Sequence, residues 1–78
     1  MRHVVGDTVT IKSKQWYDKN KDRYGDIPCG ETDFLSNMAE YCGRLAKITG
    51  RGMRAYEIDA DCGAWSWTDE MFETIKSK

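Results

Sequence analysis

The sequence predicts a small all-β domain, in two layers or closing toward a barrel. Three observations carry that expectation. A β-branched alternating segment stands near the start, a matched pair of alternating segments follows in the second half, and a tryptophan pair two positions apart stands near the end. A side-chain period of two is the signature of a strand with one face buried. With 78 residues the chain suits a single domain, residues 1–78. A domain of this size buries a modest share of its surface, so its aromatic residues are needed for the core.

The first element is "VVGDTVTIKS". Val5, Asp7, Val9 and Ile11 fall on one face, and Gly6, Thr8, Thr10 and Lys12 on the other. Ser13 then suits the N-cap of a short helix reaching to about Asp22, with Trp16 and Asn20 on one side. "YGDIPCGETD" holds the only proline and two glycines and reads as loop, which makes the whole connection a long one. "FLSNMAEYCG" reads as one or two helical turns. Asn37 is the expected cap, Gly43 the stop, and Met38, Tyr41 and Cys42 the inward face.

"RLAKIT" and "RAYEIDAD" are expected to form a hairpin about the glycines of "GRGM". In the second of these strands Tyr56, Ile58 and Ala60 point inward, while Glu57, Asp59 and Asp61 face water. "DCG" turns the chain into "AWSWT". Trp67 is the buried member of the tryptophan pair, backed by Met71 and Phe72, and Trp65 is partly exposed under the long loop. Thr68, followed by Asp69 and Glu70, suits the start of a helical turn. "MFETI" closes as a short strand or turn, and "KSK" as a frayed tail.

The segments "GDTVTIKS", "MAEYCGRLAKIT", "YEIDAD" and "WSWTDEMFE" resemble a family of small, largely uncharacterised SH3-like barrel proteins from phages and gut bacteria. The resemblance runs from Gly6 to Glu73. Its most specific parts are Met-x-x-Tyr-Cys-Gly and Trp-x-Trp-Thr-Asp-Glu-Met. It implies a five-stranded, partly open SH3-like barrel with a long first loop and one or two short helical turns. It also implies a phage- or mobile-element-related setting. It brings no assigned catalytic or binding residues, and SH3-like barrels as a class serve peptide binding, nucleic-acid binding and assembly.

Chemistry narrows the function by what is missing from the sequence. The net charge is −1, which argues against a strongly electrostatic partner such as bulk duplex DNA or an anionic membrane. The start is polar within a few residues, and no apolar run approaches a membrane span of roughly 20 residues. Cys29, Cys42 and Cys62 are odd in number and contain no C-x-x-C, so reduced thiols in a cytoplasmic protein are expected. His3, the only histidine, is expected to be exposed near the terminus and supplies no obvious base for a cysteine. Cys29, after Pro28 in the loop, is the best candidate for a reactive thiol. Three Cys and one His fit no zinc spacing, "DADCG" lacks the later ligands of a calcium loop, and no nucleotide loop is present. No cofactor, no metal and no enzymatic activity are therefore expected.

Two readings remain. In the first, Trp16, Tyr17, Tyr24 and Trp65 line a shallow groove between the long loop and the last strand and bind a protein or peptide. In the second, Lys14, Lys19, Lys21 and Arg23 of the first loop, with Arg51 and Arg54 beside the hairpin turn, bind nucleic acid. Asp18, Asp22 and Asp26 interrupt that basic run, which places the protein-interaction reading first.

Overall fold

The computed structural model describes residues 3–30 and 32–73. The end of "MFETI" and the "KSK" tail lie outside the described residues. In chain order the elements are β1 (Thr8–Thr10), α1 (Lys14–Asn20), β2 (Ile27–Cys29), β3 (Thr32–Phe34), a 3-10 turn (Ser36–Tyr41), β4 (Leu45–Arg51), β5 (Tyr56–Ile58) and a second 3-10 turn (Asp69–Met71). The domain is small, compact and mostly β, with five strands in two sheets among the described residues and a few helical turns. It is not a closed barrel.

The larger sheet runs β1-β4-β5, antiparallel throughout. Val9 sits opposite Ala46, and Ile48 opposite Ile58, so the buried residues of three strands meet on one face. The register shifts between Ile48 and Gly50. A Cβ at Gly50 would stand 2.6 Å from Glu57 Oε1, so the bulge uses a residue with no side chain.

The free edges of this sheet are partly closed by the C-terminal segment. Tyr56 and Trp67 exchange both backbone hydrogen bonds, at 2.7 and 3.0 Å. Ile11 faces Phe72 in a second isolated bridge, supported by Lys12 N–H to Met71 O and Glu73 N–H to Thr10 O. β2 and β3 pair separately, Ile27 with Phe34 and Cys29 with Thr32. Thr68 joins the two parts, its hydroxyl donating to Cys29 O at 2.9 Å inside the protein.

The expected alternations hold at Val9, Ile11, Ala46, Ile48, Tyr56 and Ile58, all buried. Trp67 is fully buried with Met71, and Phe72 is 3 % exposed. Ser13 caps α1 as expected, its Oγ accepting from Trp16 N–H at 3.0 Å. Thr68 stands at the N-cap of the second 3-10 turn.

Several expectations are corrected. β1 starts at Thr8, so Val5 is exposed and does not join the inward face. α1 ends at Asn20, not Asp22, because Lys21 is extended and Asp22 instead accepts from Tyr24 N–H and Asp26 N–H in a side-chain-closed turn. The "YGDIPCGETD" loop contains β2 and leads into β3. Pro28 is tolerated there because this sheet has only two strands, so one edge of β2 carries no ladder. The helical turn after it is 3-10 in form with Leu35 at its N-cap, and Asn37 lies inside it. Asp61 is the largest departure. β5 stops at Ile58, the chain turns, and the Asp61 carboxylate is carried into the interior. His3 is also not solvent-exposed. Its ring is 14 % exposed and lies edge-on to Tyr56 and Phe72, 5.7 Å from each.

Candidate functional site

The aromatic core radiates from Phe34. Trp67 meets it edge-on at 5.8 Å, Trp16 edge-on at 5.3 Å, and Tyr17 at a tilt at 5.7 Å. Trp67 also stacks on Phe72. Its indole N–H donates to Asp61 Oδ2 at 2.9 Å, and the same carboxylate accepts from Gly63 N–H and Trp65 N–H, both at 3.0 Å. Asp61 therefore bonds three donors around one turn, which is what a buried carboxylate requires. Cys62, beside it, takes a positive φ of 56°, so the turn is tight enough to force a non-glycine residue into the left-handed region.

The four aromatic residues expected at a groove separate. Tyr17 is 5 % exposed and belongs to the core, its hydroxyl donating to Gly25 O at 2.6 Å. Trp16 and Tyr17 were both expected at the groove, but Tyr17 holds the buried position of α1 and Trp16 the half-buried one next to it. Tyr24 is 72 % exposed, with the Arg23 guanidinium 5.4 Å from its ring centre. Trp65 is half-buried against the core at the Asp61 turn.

Trp16 alone among the four lines an open recess of about 370 Å³ between α1, β2 and the second 3-10 turn. Asn20 extends its helical wall, and that amide is held by Trp16 O at 2.8 Å. Pro28 forms the opposite apolar wall, and Asp69 and Glu70 stand on the rim. A second shallow recess, lined by Gln15, Lys19 and Glu73, shares Trp16, Lys12 and Asn20 with it, so the groove continues along α1. This is the place expected for a groove, between the long connection and the last segment. Asn20 was expected on the Trp16 side of the helix, but Pro28 and Glu70 carried no sequence signal for the recess, because separate segments deliver them.

The basic residues are also divided. Lys14 and Lys21 both pair with Asp18 Oδ1, at 3.3 and 3.6 Å, and both lie over the Tyr17 ring. Lys12 pairs with Glu73 at 3.7 Å. Lys19 is exposed on α1. Two of the four first-loop cations, Lys14 and Lys21, thus share the Asp18 carboxylate. Arg51 and Arg54 line a different recess, of about 650 Å³, beside the β4–β5 turn, together with Met53, Glu57 and Ser66.

Cys29 sits at the floor of the Trp16 recess but is 3 % exposed. Burial, then the nearby Glu70 carboxylate, push its thiol up to about 11. A buried thiol with a raised pKa is a poor nucleophile, which argues against Cys29 as the reactive cysteine. Burial also raises Cys42, which is half-buried. All three cysteines are free, and no group of three metal-binding side chains occurs among the described residues. No helix among the described residues is long and apolar enough to cross a membrane. Comparison with protein-family models, with curated proteins and with solved structures finds no match to this chain.

Proposed function

We propose that this protein is a non-catalytic protein-interaction or assembly module on an SH3-like, partly open barrel, working in the cytoplasm. The Trp16 recess carries that reading. A half-buried indole, fixed edge-on to Phe34 and flanked by an exposed proline, presents rigid apolar surface beside polar groups. Recognition sites are built that way, from apolar walls with a few placed polar groups. The fold supports the barrel reading in its order of elements. A long connection follows β1, a hairpin follows that, and a 3-10 turn precedes the segment that returns to β1 at Phe72.

Selection from a display library of extended peptides, followed by titration of the ¹⁵N-labelled protein with the enriched sequences, tests the proposal. Binders are expected to shift the Trp16 indole resonance and the amides of Asn20 and Glu70. Trp16→Ala should weaken them more than about tenfold. Enriched peptides whose shifts all lie elsewhere, or no enrichment at all, would overturn it. The nucleic-acid reading has less support, because Lys14 and Lys21 share Asp18.

A further inference from the structure

The turn joining β4 to β5 presents an unusual tip. Arg51, Met53 and Arg54 are all exposed residues, and Met53 is 90 % exposed. The tip is held in shape, since Gly52 N–H donates to Ala55 O at 2.8 Å. A basic, apolar-pointed projection is thus pre-formed at one place on the domain. The Trp16 recess is its complement. Glu70 makes its rim acidic, together with Asp69, whose Oδ1 also accepts from Tyr56 O–H at 2.7 Å, while the charge of Lys12 is answered by Glu73. Its walls are an indole and a proline, and a thioether packs well against an indole. No residue lines both the tip recess and the Trp16 recess, so one molecule has both surfaces available at once.

From this complementarity of charge and apolar surface we infer that the partner of the Trp16 groove is a second copy of this chain, whose Arg51–Arg54 tip seats in it. The inference rests on the groove being a protein-binding site. The contact is head-to-tail, joining two different patches. It therefore leaves a free tip at one end and a free groove at the other, and it propagates into a ring or a filament.

Sedimentation velocity and light scattering of the full chain, from micromolar to millimolar, read the consequence. Mass should grow beyond a dimer with concentration and fall back as salt is raised. Met53→Glu disables the tip, and Glu70→Arg disables the groove at an exposed position where folding is not at stake. Each variant alone should remain monomeric. Mixed, they retain one functional tip and one functional groove, so they should form a 1:1 pair and stop. The double variant Arg51→Glu with Glu70→Arg should regain self-association.

A monomer at every concentration overturns the inference, as does a closed dimer indifferent to both variants, or a mixture that behaves like its components. Peptide binding at Trp16 by a strictly monomeric protein removes only the self-partner. A monomer that also binds no peptide there removes the groove reading as well.

Discussion

Trp67 and Trp16 meet the same phenylalanine in nearly the same way, edge-on to Phe34 at 5.8 and 5.3 Å, yet one is structural and the other borders an open recess. The difference lies in what surrounds each ring. Trp67 is enclosed by Tyr41, Phe72 and Tyr56, and its N–H is taken by Asp61. Among the described residues nothing accepts from the Trp16 indole N–H, and its outer side borders the recess. A buried indole needs an acceptor. The acceptor, more than the apolar ring, separates a core tryptophan from one available to a partner.

The largest effect expected from this contrast is at Trp67. Trp67→Ala should cost about 4 kcal/mol in urea unfolding, close to the whole stability of so small a domain. A loss under about 1 kcal/mol would break the contrast at once. Next comes the acceptor. Asp61→Ala leaves buried donors without a partner and should cost about 3 kcal/mol. Asp61→Asn keeps one acceptor oxygen and should lose less, so equal losses would show that the hydrogen bonds matter little.

Trp16→Ala should be milder, about 1–2 kcal/mol, because its ring is only half-buried. If it cost as much as Trp67→Ala, Trp16 would be a core residue and the recess incidental. The smallest effect is a pH dependence at the recess floor. Up to pH about 9 the Cys29 thiol is protonated in both folded and unfolded chains, and its contribution to stability is intact. Between about 9 and about 11 only the unfolded chain releases the proton, so stability should decline as pH rises through that window. Cys29→Ala should flatten that part of the unfolding profile, and an unchanged slope would remove the burial argument.

The sequence and the structure agree where a period of two persists. Val9, Ile11, Ala46, Ile48 and Trp67 could be placed because alternation is a geometric property of a strand. Asp61 could not. It continues the polar phase of Glu57 and Asp59, but phase has meaning only while the strand lasts, and β5 ends at Ile58. β2 and β3 escaped for a related reason. Each is three residues long, too short for a period to register, and the proline pointed to loop. Of the four aromatic residues expected at a groove, Trp16 alone lines the recess. Trp16 and Tyr17 are neighbours in sequence, and a short helix with few apolar positions does not reveal which of the two faces inward.

The bridge between Ile11 and Phe72 sets the order in which this molecule can be assembled. The residues around β1 come early in the chain, and one of their two flanking partners is made only when residue 72 has been reached. Until then Thr10 C=O and Lys12 N–H have no ladder to join on that side. Contacts of such long sequence separation pay loop-closure entropy before they return anything, so folding should be slow for the domain's size, on the order of milliseconds to seconds. The Trp16 recess borrows Phe72 for part of its wall and therefore exists only after that last step. A chain still unfinished would carry the lysines of residues 14–21, but no groove to offer a partner.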